Sequence, residues 1–139
     1  MRVVLDTSVL VAAWRSRLGA SYEIVEAIDT GLFEIAVSVP LVAEYESALL
    51  RHLAGPQRPQ HVRSLIDQVC AVAIRQKVYF LWRPLLQDPN DDMVVEVAIA
   101  SGAEVIVTHN LRDFAAARRL GLRILAPGAF LKHVLRSSP

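Results

Sequence analysis

Four acidic segments stand far apart in this chain of 139 residues. Asp6 lies in the run Val3-Val4-Leu5-Asp6-Thr7-Ser8, and Glu44 follows Ser38 by six residues. Asp91 sits within Asp88-Pro89-Asn90-Asp91-Asp92, and Asp113 comes shortly after Thr108-His109-Asn110. No Lys or Arg falls within residues 5–13, 38–50 or 88–110, so nothing in these windows offers to neutralise the carboxylates. Carboxylates gathered in one place either raise one another's proton affinity or bind a cation. Oxygen-only donors suit Mg²⁺ or Mn²⁺, whereas Zn²⁺ wants His or Cys. A single cysteine, Cys70, also excludes a multi-Cys zinc site and an intramolecular disulfide scaffold. Ions of the Mg²⁺ type activate water and stabilise the leaving oxygen in phosphodiester hydrolysis, often as a pair.

That chemistry requires the four segments to meet, and the hydrophobic pattern supplies a reason. Short β-branched runs at Val3–Leu5, Phe33–Ser38, Val105–Thr108 and Arg123–Leu125 read as strands. Helical patterns lie between them, near Ser8–Arg15, Ser21–Thr30, Leu41–Leu53, Gln60–Arg75, Asp91–Ser101 and Leu111–Leu120, followed by Ala129–Leu135. Lys77–Trp82 reads either as a short extended segment or as a frayed helix end. Alternating strand and helix predicts a parallel sheet with helices on both faces. Ligands of such sheets bind outside the carboxyl ends of the strands, and the acidic segments stand at or near those ends.

Helical geometry selects among the acids. At 100° per residue from Asp91, Val94, Val95 and Ala98 all lie within about 60°, which places Asp91 on the apolar side of its helix. Asp92 pairs with Glu96 along a narrow polar stripe and reads as a solvated first-turn acid favoured by the helix dipole. Glu44 and Glu46 flank the apolar stripe of Leu41, Tyr45, Ala48 and Leu49 on opposite edges, so only proximity to the strand end favours Glu44. Each acid keeps a structural alternative. Asp6 could form an Asx turn with Ser8, Glu44 could be an ordinary first-turn acid, and Asp91 could cap its helix. Asn110-Leu111-Arg112-Asp113 has the form of a capping box.

The total charge, 15 Lys+Arg against 14 Asp+Glu, argues neither for nor against nucleic acid, but its distribution is uneven. Residues 112–139 carry six bases against one acid, a set equally compatible with phosphate contacts and with solvated helix faces. The length suits one domain, 1–139, and the 53% hydrophobic content excludes disorder. No apolar stretch approaches the roughly 18 residues of a membrane span. Met1 is followed almost at once by an acid, with no apolar signal region, so the expectation is a cytoplasmic protein without membrane association.

The same residues resemble the PIN-domain family, specifically the VapC-like toxins of toxin–antitoxin modules. The matching motifs are Val3-Val4-Leu5-Asp6-Thr7-Ser8, Ser38-Val39-Pro40-Leu41-Val42-Ala43-Glu44, Asp88-Pro89-Asn90-Asp91-Asp92 through Ala98, and Val105-Ile106-Val107-Thr108-His109-Asn110-Leu111-Arg112-Asp113-Phe114. The resemblance runs from about residue 1 to 130. It implies an α/β/α sandwich on a five-stranded parallel sheet, with the fifth strand drawn from an ambiguous segment. It implies a Mg²⁺- or Mn²⁺-dependent endoribonuclease whose acids are Asp6, Glu44 and Asp91. Thr7 or Ser8 and Thr108 match the small hydroxyl residues beside those acids. Asn110 stands where many members carry Asp, which leaves a second metal to Asn110 or to Asp113 one helical turn on. Arg15, Arg17 and Arg112 lie near motif ends as possible RNA contacts. The resemblance further implies an antitoxin that covers the groove, and apolar helices beyond the needs of one small core suit a homodimer. The rival reading is a PIN-like module that binds RNA or protein without cutting. An aspartyl-phosphate phosphatase using Asp6 is poorer, because Ser8 stands where that chemistry usually wants a second Asp.

Overall fold

The computed structural model describes residues 1–53, 55–78 and 86–137. Strand β1 (Arg2–Leu5) leads through α1 (Thr7–Arg15) and α2 (Ala20–Glu26) to β2 (Glu34–Val37). Helices α3 (Val39–His52) and α4 (Arg58–Val72) connect β2 to β3 (Ile74–Arg75). Helix α5 (Pro89–Ser101) precedes β4 (Val105–Val107), a 3₁₀ helix (Leu111–Leu120) precedes β5 (Arg123–Leu125), and α6 (Pro127–Ser137) follows. The five strands form one parallel sheet in the order β3-β2-β1-β4-β5.

That order decides where a ligand belongs. The chain builds outward from β1 through β2 to β3, then returns across β1 to place β4 and β5 on the other side. Because parallel crossovers are right-handed, the reversal sends the α5 connection to the opposite face of the sheet. The crevice at this switch lies beyond the carboxyl ends of β1 and β4, which pair as Val3–Val105, Val4–Ile106 and Leu5–Val107. Both strands are apolar at every position from Val3 to Leu5 and from Val105 to Val107, as the core of a sheet covered on both faces requires.

Local chemistry sets the helix ends around this crevice. Ser38 caps α3 by accepting from the Leu41 amide at 3.2 Å, with Pro40 in the first turn. Asp88, not Asp91, caps α5, accepting from the Asn90 amide at 2.9 Å. Helix α5 ends at Gly102, whose φ of +70° is the left-handed conformation expected of a cap. Tyr45 is buried on α3, and its hydroxyl donates to the Leu5 carbonyl, pinning that helix over the end of β1.

Three sequence expectations change. The pattern that extends a helix through Arg75 gives way to β3 at Ile74–Arg75, which pairs with Ala36 and Val37 of β2. This is the fifth strand, just ahead of the ambiguous segment; residues 79–82 of that segment lie outside the described residues. Residues 111–120 form a 3₁₀ helix because Leu111, Phe114, Ala117 and Leu120 recur every three residues, and Phe114 and Ala117 are fully buried. Asp92 is not a solvated acid: it is 2% exposed and accepts from the Leu86 amide at 2.9 Å, and Glu96 is also buried.

Candidate active site

A cleft of about 570 Å³ opens at the switch point. Asp6, Thr7 and Ser8 reach it from the end of β1, Glu44 from α3, Asp88, Asn90 and Asp91 from the start of α5, and His109 and Asn110 from the end of β4. The three acids expected from sequence to act together, Asp6, Glu44 and Asp91, therefore share one cleft.

Asp6 is 4% exposed, and a buried carboxylate needs donors. Ser8 Oγ donates to Asp6 Oδ2 at 2.7 Å, and Thr108 Oγ1 donates to the same oxygen at 2.8 Å. Each hydroxyl is itself oriented by a backbone amide of the β4 end. His109 N–H donates to Ser8 at 3.2 Å and Asn110 N–H to Thr108 at 2.9 Å. Two amide–hydroxyl relays thus converge on one oxygen, and among the described residues Oδ1 receives no donor. Ser8 and Thr108 are the hydroxyls that hold Asp6; Thr7 only lines the cleft. The Asx-turn alternative survives in part, since Ser8 is indeed the partner of Asp6, but as donor to its carboxylate.

Asp91 is half-buried, and among the described residues its carboxylate accepts no hydrogen bond. Burial first, then the carboxylates of Asp6, Asp88, Asp113 and Asp92, push its pKa from 3.8 up to about 7. Four acids thus oppose the ionisation of a fifth, and the bases on the cleft wall, Arg15 and Arg51, do not offset them at Asp91. Asp113 contributes to that field although it is exposed and does not line the cleft. The capping-box alternative for Asp113 fails, because Asn110 makes no side-chain cap bond.

Glu44 behaves differently. Its Oε1 lies 3.3 Å from Arg51 Nη2, one residue beyond the base-free window around it. Helical spacing of seven residues carries Arg51 back along the same face, a signal present in the sequence but not used. Of the possible RNA-contacting arginines, Arg15 lines the cleft, whereas Arg17 and Arg112 are exposed outside it. Sequence reasoning also missed Asp88 as a field-setting acid, and Arg51 and His52 on the cleft wall. The His109 ring shares a 2.7 Å hydrogen bond with buried Ser21 across 88 residues of sequence, which no local pattern announces.

Among the described residues no three acids or imidazoles already converge at metal-ligand spacing. The donor chemistry nevertheless fits a hard divalent ion: oxygen ligands only, an Asp6 oxygen without a donor, and an Asp91 carboxylate whose charge is opposed by its neighbours. Among the described residues no helix is long and apolar enough to cross a membrane.

Comparison with known proteins agrees with this architecture. No curated protein matches the chain by sequence. Among solved structures, the VapBC2 complex of Rickettsia felis bound to a promoter DNA fragment matches with a TM-score of 0.65 at 21% identity, covering 91% of this chain and 98% of that one. FitAcB from Neisseria gonorrhoeae matches with a TM-score of 0.63 at 13% identity, again over 91% of this chain and 98% of that one. The FitAB complex with an IR36 DNA fragment gives a TM-score of 0.63 at 14% identity, over 90% of this chain and 94% of that one. These likenesses concern the fold. A PIN-domain family model matches residues 2–112, from the first strand through the start of the 3₁₀ helix that follows Asn110. The chain belongs to the PIN-domain family.

Proposed function

We propose that this protein is a divalent-metal-dependent endoribonuclease, acting as the toxin of a toxin–antitoxin pair. One observation carries the reading: an Asp91 whose ionisation is opposed by Asp6, Asp88, Asp113 and Asp92 in a cleft at the sheet's switch point. Such a field favours a cation of high charge density over a protein base, and Mg²⁺ or Mn²⁺ is the matching partner. Asp6 and Asp91 would hold the ion, with Glu44 completing the set on release from Arg51, and Asn110 or Asp113 supporting a second ion. When bound, the ion neutralises phosphate charge and makes water a better nucleophile.

The protein's own groups do the positioning. Ser8 and Thr108 fix the orientation of the Asp6 carboxylate through its Oδ2. Asp91, protonated at low pH and ionised above about 7, ties the occupied state of the cleft to neutral or alkaline conditions. Glu44 would complete the ion's set or orient the attacking water, and cleavage would leave 5′-phosphate and 3′-hydroxyl ends. The structural neighbours are toxin–antitoxin assemblies, which supports a cognate antitoxin as partner here. The apolar content of the helices, as read from the sequence, also suits a homodimer.

The test is cleavage of single-stranded RNA with Mg²⁺ or Mn²⁺ by the wild type, Asp6→Asn and Asp91→Asn, with mapping of the product ends. Equal cleavage by all three preparations would sink the assignment. Asn110, in place of the family's frequent Asp, favours a second reading, a PIN domain that binds RNA without cutting it. RNA affinity unchanged by EDTA, together with no cleavage, would support that reading instead.

A further inference from the structure

The cleft is bipolar. Its acids gather at the strand ends, while its far wall is built from the last residues of two helices: Arg15 closes α1, and Arg51 and His52 close α3. We propose that Arg15, Arg51 and His52 form a phosphate-binding shelf that grips the RNA backbone a short distance from the scissile bond. The inference rests on the ribonuclease reading and gives that same cleft a second subsite.

Spacing comes first. Helix α1 starts beside Asp6 and runs nine residues to Arg15, or about 13 Å at 1.5 Å per residue. Glu44 and Arg51 lie about 10 Å apart along the axis of α3, and the Arg51 side chain, which reaches back to Glu44 at 3.3 Å, can swing out across that span. A single strand with one phosphate at the acids spans such a distance within a few nucleotides, so a neighbouring phosphate falls at the shelf.

The hydrogen bonding of these cations comes second. Arg15 Nη2 approaches the His52 ring Nδ1 at 3.4 Å and the His52 carbonyl at 3.5 Å, both long contacts to partners that are not carboxylates. Among the described residues Arg15 meets no carboxylate. Arg51 bonds Ser47 at 2.8 Å and Glu44 at 3.3 Å, with more than half of its side chain exposed. Exposed pairs of this kind are weak, so neither guanidinium is locked away from a phosphate, whose oxygens match its donor fork.

Bases at helix C-termini are also favoured by the helix dipole, which is the plain alternative. It does not bring such bases together: Arg118 and Arg119 end the 3₁₀ helix outside the cleft, whereas Arg15, Arg51 and His52 close two helix ends on one cleft wall. Nor does it explain why Arg15 reaches across to the other helix end, 37 residues away.

Phosphate grips of this type fix register without reading sequence. The test measures binding of a fluorescent ten-nucleotide RNA at several salt concentrations, in an Asp6→Asn background that blocks turnover. Arg15→Gln, Arg51→Gln and the double variant are compared, with Arg118→Gln as an exposed control outside the cleft. Each shelf variant should weaken binding and flatten the plot of log affinity against log salt by about 0.7 for every phosphate no longer neutralised. The weakening should be alike for different RNA sequences, and Arg118→Gln should change neither quantity. Arg15→Lys should keep much of the salt slope. Affinity and slope unchanged in the double variant would overturn the proposal and point to an acidic protein partner for this wall. So would an equal weakening in Arg118→Gln. The ribonuclease reading fails separately, if the wild-type protein does not cut RNA.

Discussion

Replacing Asp91 by Asn should stabilise the metal-free protein at alkaline pH, the reverse of what most substitutions in a functional cleft are expected to do. The Asp91 carboxyl is displaced from 3.8 to about 7 by burial and then by its acidic neighbours. The folded state therefore keeps this proton to higher pH than the unfolded chain. Between about pH 4 and 7 the native protein binds more protons, so stability falls as pH rises and the decline is complete above about 7. A displacement of this size sets a ceiling of about 4 kcal/mol. Because the group is only half-buried and screened by solvent, about 1–2 kcal/mol is the reasonable expectation. Asn has nearly the same shape and no charge to oppose. In EDTA at pH 8, Asp91→Asn should melt roughly 4–8 °C above wild type, and the difference should vanish near pH 4. Mn²⁺ at about a hundred times its dissociation constant should then raise wild-type stability by about 2.7 kcal/mol and the variant far less. The assay is thermal unfolding by circular dichroism across pH, with EDTA and with Mn²⁺. A variant no more stable than wild type at pH 8, or a gap of the same size at pH 4, would refute the reasoning.

Other groups give smaller tests. Thr108→Val keeps the shape of a fully buried side chain but removes one donor from Asp6 and strands the Asn110 amide. It should cost about 1–3 kcal/mol in urea unfolding. Tyr45→Phe should cost a similar amount, about 1–3 kcal/mol, by leaving the Leu5 carbonyl without its donor. Burial and Asp6 hold that phenol above its ordinary range, so the cost should be constant up to about pH 9 and shrink as pH rises through 10, where only the unfolded chain ionises. Among the acids that raise Asp91, Asp6 acts more strongly than Asp113. Asp6→Asn should therefore lower the Asp91 titration midpoint more than Asp113→Asn does, as followed by carboxyl NMR.

The fold was legible where apolar runs were long enough to carry a period. Val3–Leu5 and Val105–Val107 announce central strands, and the acids that follow them fall at the carboxyl edge by a rule of parallel sheets. Strand β3 was hidden because two residues have no periodicity of their own, and its sequence continues the pattern of α4. The helical wheel singles out Asp91 for an incomplete reason: this acid is half-buried facing other acids, while the deeper burial belongs to Asp92. The burial of Asp92 depends on an amide at Leu86, set by tertiary packing that a helical wheel does not contain. The pairing of Glu44 with Arg51 and the bond between His109 and Ser21 required the fold. The cationic half of the cleft stayed hidden for a related reason, because bases at helix ends look the same whether they meet solvent or one another.

The most direct measurement is a calorimetric titration of Mn²⁺ into the wild-type protein and Asp91→Asn at pH 8. Saturable binding to the wild type, abolished or greatly weakened in the variant while its fold persists, is the result expected of a cation held by the acids of the switch-point cleft. Equal affinity in both proteins, or no saturable binding to the wild type, would contradict the account.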